Sequence, residues 1–92
     1  MELKLKHPLP VGNKGKTIDV LTFRDFTTAG DYLAFDQRGG VAQRIALIAN
    51  LTGSDESLIK QLRGIDYRAA EKIADEILAA DDAEEGEKAE KK

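Results

Sequence analysis

Leu3, Leu5, His7 and Leu9 alternate with Lys4, Lys6 and Pro8, a period of two that predicts a strand with one buried face. Pro8 and Pro10 have no N–H to give to a ladder, so this strand lies at an edge or ends there. The stretch from Val11 to Lys16 contains two glycines and an asparagine, residues that accept the positive φ a hairpin connection needs. Thr17 to Phe23 is rich in β-branched and aromatic residues and predicts a second strand. In that strand Ile18 and Val20 point opposite to Leu21 and Phe23, which calls for either two covered faces or a bulge.

After Arg24 the period changes to that of a helix. Thr27 or Thr28 is placed to cap a first helix with Asp31 in its opening turn and Ala29, Tyr32, Leu33 and Phe35 at helical spacing. Gly39-Gly40 interrupts it. Val41, Ile45, Ile48, Ala49 and Leu51 then repeat at three and four residues, and Thr52-Gly53 supplies a stop. Ser54 or Asp55 caps a short helix carrying Leu58, Ile59 and Leu62, closed by Gly64. Asp66 is expected to cap the last helix, whose stripe is Ala70, Ile73, Ala74, Ile77 and Leu78. The reading is one α+β domain over residues 1–80, an N-terminal β-hairpin (2–23) followed by about four short α-helices (28–79). Residues 81–92 have nothing larger than alanine to bury and read as an acidic, disordered, flexible tail.

Composition narrows what such a domain does. Ninety-two residues hold a single core and leave no room for a cleft between domains. The net charge of −3 resides wholly in the last twelve residues, with six acids and three lysines, while the remaining eighty are balanced. A basic lean at residues 1–24 is too slight for a nucleic-acid footprint. No cysteine is present, which removes disulfides, thiolate metal sites and cysteine nucleophiles. The chain shows no signal-peptide pattern and no apolar run of membrane-spanning length, so neither export by that route nor a membrane partner is expected.

The residues that carry chemistry elsewhere find no partners here. His7 is the sole histidine, in a proline-flanked strand with no cysteine and no acid neighbour, and reads as a structural or surface residue. Asp31, Asp55 and Asp66 stand at helix starts, where capping accounts for them. No catalytic, metal or cofactor residue is named, and no enzymatic activity is expected. Gly15-Lys16-Thr17 imitates the end of a phosphate-binding loop, but Pro10 occupies the first glycine position and a strand follows where a helix is required. Ala49, Gly53 and Ile59 fall at helix-turn-helix spacing, which makes a small DNA-binding protein the alternative function. Against it, the second helix opens Ser54-Asp55-Glu56, acids that phosphate repels.

The order of the pieces carries a resemblance. The lysine-rich strand and hairpin, the segment Leu21-Thr22-Phe23-Arg24-Asp25-Phe26-Thr27-Thr28-Ala29-Gly30-Asp31, then Leu51-Thr52-Gly53 with Leu58, Leu62 and Asp66-Tyr67 together resemble the tail assembly chaperones of Mu-like and P2-like phages. The similarity runs over about residues 3–78. It departs at Phe26, where the family has proline. The resemblance implies a non-structural helper of virion morphogenesis, encoded by a phage or prophage. Such a helper would bind the tape measure protein in the cytoplasm of the bacterial host, keep it soluble, and gather tail tube subunits around it. A tape measure offers amphipathic helices, and such a helix is held by its apolar stripe. Candidate partner-binding residues are Phe23, Phe26, Tyr32, Phe35, Ile59 and Tyr67, weighed against the ordinary burial of aromatic and branched residues in a core. The same surface would also serve a homo-oligomer.

Overall fold

A computed structural model describes residues 1–11 and 16–90. Two strands, β1 (Glu2–Val11) and β2 (Lys16–Thr22), form an antiparallel hairpin. Four helices follow: α1 (Ala29–Phe35), α2 (Gly40–Thr52), α3 (Glu56–Ile59) and α4 (Gly64–Glu90). The α+β architecture is the expected one. The hairpin connection at Gly12 to Gly15 lies outside the described residues, as do Lys91 and Lys92.

The centre of the molecule is α2. Ala46, Leu47, Ile48, Ala49 and Leu51 are all buried, so four consecutive residues face protein rather than one stripe. The cause is its position, since α1, α3, α4 and β2 all pack on it. A helix covered on several sides has no polar face to betray its orientation, and the sequence pattern accordingly omits Ala46 and Leu47 while including Val41, which is exposed. Leu5, Leu9, Leu21 and Phe23 enter the core from the hairpin, and Ala70, Ala74 and Ile77 from α4. α2 stops where the chain enters the left-handed region at Gly53 (φ 68°). There the Gly53 and Ser54 amides donate back to Asn50 and Ala49 carbonyls, a Schellman closure that glycine adopts without the Cβ penalty.

The irregularity anticipated for β2 falls in β1. Leu3 pairs with Leu21 and Lys4 with Val20, but the next partners are Leu9 and Ile18. Leu5, Lys6, His7 and Pro8 therefore stand opposite Asp19 alone. Leu5 and Leu9 still share a buried face, because the interval between them is even. The amides of Lys6 and His7 are turned from the ladder, and both donate to Asp66, to Oδ1 at 2.8 Å and Oδ2 at 2.9 Å.

Asp66 thus has a different role from the expected one. α4 begins two residues earlier, at Gly64, and the Tyr67 amide bonds to the Arg63 carbonyl. The Asp66 carboxylate, 2 % exposed, instead bridges α4 to the bulge of β1, in a turn where the helix dipole also favours negative charge. Asp55 holds the N-cap position of α3 but makes no side-chain cap, and its carbonyl receives the Leu58 and Ile59 amides. At the other end of the chain the apolar stripe finishes at Leu78 while the helical backbone continues to Glu90. Residue 81, expected to open the flexible tail, continues α4 and is in contact with the body of the protein, as the next section describes.

Candidate docking surface

α1 is a seven-residue helix whose start is defined by a reciprocal capping box. Thr28 accepts from the Asp31 amide, and the Asp31 carboxylate accepts from the Thr28 amide at 2.8 Å, which satisfies two orphan N–H groups at once. The other Asp31 oxygen accepts from Arg24 at 2.7 Å, and the same guanidinium nitrogen reaches the Asn50 carbonyl at 3.2 Å near the C-terminal end of α2. Arg24 also ties its own amide to the Leu51 carbonyl. One residue at the end of the hairpin thereby fixes α1 against α2. Burial alone would push the Asp31 carboxyl up. The hydrogen bonds and charge of Arg24, with the Thr28 amide, outweigh it and hold the pKa below the usual 3.8.

The inward side of α1 carries Asp31 and Phe35. Successive helical residues turn by about 100°, so Leu33 points about 200° away from Phe35. Leu33 is 76 % exposed, and Tyr32 beside it is 42 % exposed. Phe26, just before the cap, is 57 % exposed with the Arg24 guanidinium 5.4 Å from its ring centre. At the position where the family resemblance has proline, this chain places an exposed aromatic ring. The Tyr32 ring leans on Phe35 at 5.4 Å, which fixes its direction. The Tyr32 hydroxyl and the Thr27 hydroxyl both donate to Oδ2 of Asp81 on α4.

The six sequence candidates separate on this geometry. Phe23, Phe35 and Ile59 are core side chains, each 6 % exposed or less. Tyr67 is half-buried on α4 and donates to Glu71 at 2.8 Å. Burial, aided by that hydrogen bond and the Glu71 charge, pushes its phenol up to about 12. Phe26 and Tyr32 remain at the surface, Phe26 before the start of α1 and Tyr32 on it. Leu33 is a third exposed apolar residue of this region. It belongs to the helical spacing of α1, but only the inward placement of Phe35 marks it as outward. Asp81 gives no sequence signal of its contact, because it sits in a run of acids.

Other features offer less. An open groove of about 400 Å³ lies between the end of β2 and the end of α2, lined by Thr22, Phe23, Arg24 and Asn50 to Gly53. Its one charged side chain, Arg24, is paired with Asp31. Among the described residues no group of three His, Cys, Asp or Glu side chains is placed to hold a metal ion. The lysine and threonine of the imitation phosphate loop open β2, so no helix N-terminus faces a phosphate there. The helix-turn-helix packing is present, with Ala49 and Ile59 buried and Gly53 in the turn. The second helix, however, has four residues, about 6 Å of rise, and its Glu56 pairs with Arg38. A single acidic turn does not lie along a major groove. No described helix is long and apolar enough to cross a membrane.

A family model described as phage tail assembly chaperone proteins, E, or 41 or 14, matches residues 2–79. The chain belongs to this family of phage tail assembly chaperones. The match takes in the hairpin, α1 to α3 and α4 as far as residue 79, and stops short of Asp81. No curated protein and no solved structure matches the chain.

Proposed function

We propose that this chaperone holds the tape measure protein in soluble form in the cytoplasm of the bacterial host and helps recruit tail tube subunits to it, using the outer face of α1. The observation that carries the reading is the exposure of Tyr32 and Leu33 on α1 and of Phe26 shortly before it, on a domain whose core cluster does not include them. Adjacent exposed apolar side chains are characteristic of contact surfaces, and a helix client is held by such a face. A chaperone needs an apolar surface that stays accessible. The capping box, Arg24 and the Tyr32–Asp81 bond keep this one rigid and outward, which lowers the ordering cost of binding.

The test is co-expression of the tape measure protein with and without this chain. The tape measure should move from the insoluble to the soluble fraction and co-purify with the chaperone. Unchanged solubility and no co-purification would remove the reading.

A further inference from the structure

We infer that Asp81 is a clasp that closes the entry of α1 from across the fold, so that the start of α1 and the end of α4 are ordered together. This coupling belongs to the free chain and does not depend on which partner α1 meets.

The entry of a chain into a helix is often fixed by an apolar contact between the residue before the N-cap and the fourth residue of the helix. With Thr28 as the N-cap of α1, those two positions are Thr27 and Tyr32. Their hydroxyls both donate to one oxygen, Oδ2 of Asp81, which stands 54 residues from Thr27 and 49 from Tyr32. The carboxylate therefore spans the positions that an apolar staple would join, and it does so from another element. The bond to Tyr32 is 3.2 Å, and the Tyr32 ring also leans on Phe35. The capping box satisfies the backbone at this turn, while Asp81 ties down the side chains that flank it. For its packing α1 depends mainly on α2, so the clasp supplies a second attachment.

The same two bonds act on α4. Its apolar stripe ends at Leu78, and among the described residues beyond it no apolar side chain is buried. Ala79, Ala80 and Ala83 are exposed, whereas Asp81 is half-buried. Leu78 and Asp81 are three residues apart and share a face of the helix. Asp81 thus prolongs the inward side of α4 by one turn, with a hydrogen-bond acceptor where an apolar side chain would otherwise stand. Aspartate is a poor helix former, so its presence there favours the helix only through what it holds. Coupling of this kind is reciprocal: a partner that binds α1 in its capped form also orders the end of α4.

Amide hydrogen exchange of the full chain, resolved by NMR, tests the coupling. In an ordinary exposed helix Asp→Ala slows exchange, because alanine is the better helix former. Here Asp81→Ala should instead speed exchange over residues 79–85 by at least about threefold. The Asp31 and Tyr32 amides, which bond at Thr28, should speed up with them. The Thr27→Ala, Tyr32→Phe double variant leaves the sequence of α4 untouched and keeps the aromatic ring, yet it should speed exchange over 79–85 by a similar factor. Adding Asp81→Ala to that double variant should change little more, as expected where all three side chains act in one contact. The buried amides of Ile48 and Leu51 in α2 report global unfolding and serve as the reference for every ratio. An effect confined to the element that carries the substitution would overturn the inference. So would slower or unchanged exchange over 79–85 in Asp81→Ala, or amides there that are unprotected in the wild type.

Discussion

Asp66→Ala should destabilise the fold by about 2–4 kcal/mol, because it strips the carboxylate from two part-buried backbone amides, each worth about 1–3 kcal/mol when left unmet and toward the lower end where water has access. The carboxylate is 2 % exposed and takes the Lys6 and His7 amides with its two oxygens. Those amides lie in the bulge of β1 and have no ladder partner to return to. A domain of this size has about 5–14 kcal/mol in total, so the loss is a large fraction of it. Urea unfolding followed by circular dichroism measures the change. Asp66→Asn retains one acceptor oxygen and should fall between wild type and alanine, which keeps the test readable where the alanine variant does not fold. A loss below about 1 kcal/mol would mean that water replaces the carboxylate and that the bridge contributes little.

Arg24→Ala should destabilise by about 2–3 kcal/mol at neutral pH, less than for a fully buried ion pair, because the Arg24 side chain is 35 % exposed while that of Asp31 is 3 % exposed. The deletion leaves Asp31 charged and without its cation. The pH dependence identifies the cause. In the wild type the folded pKa of Asp31 lies below 3.8. The pair therefore stabilises the fold above pH 3.8, and that contribution is lost as pH falls through the lower folded value. In the variant the unpaired carboxyl protonates more readily. The stability gap between the two proteins should narrow as pH drops below about 4. A gap that is constant with pH would assign the loss to the guanidinium's contacts with the Phe26 ring and the Asn50 carbonyl instead.

The order of elements was legible in the sequence because each boundary has a local cause. The alternating leucines mark β1, Thr28 with Asp31 forms a cap within four residues, and Gly53 ends α2 by its own backbone freedom. The residues that organise the tertiary structure were less legible. Asp66 looks like a helix cap because an acid near a helix start ordinarily is one, and its true partners are some sixty residues away in β1. The bulge is invisible in the alternation of β1, since Leu5 and Leu9 stand an even number of residues apart across it and keep the same face. Of the candidate surface, aromatic identity singled out Phe26 and Tyr32 but equally Phe23 and Phe35, because composition cannot separate a core ring from an exposed one. Leu33 emerges only when the inward side of α1 is known.

That face is the point on which the functional reading turns, and one measurement addresses it. The tape measure protein is co-expressed with the wild-type chain and with a Phe26→Ser, Leu33→Ser double variant. Both replaced side chains are more than half exposed, so the fold should be preserved and its circular dichroism and urea midpoint nearly unchanged. The wild-type chain should bring the tape measure into the soluble fraction, and the folded double variant should leave it insoluble. Full rescue by the double variant would show that the client is held elsewhere on the chaperone.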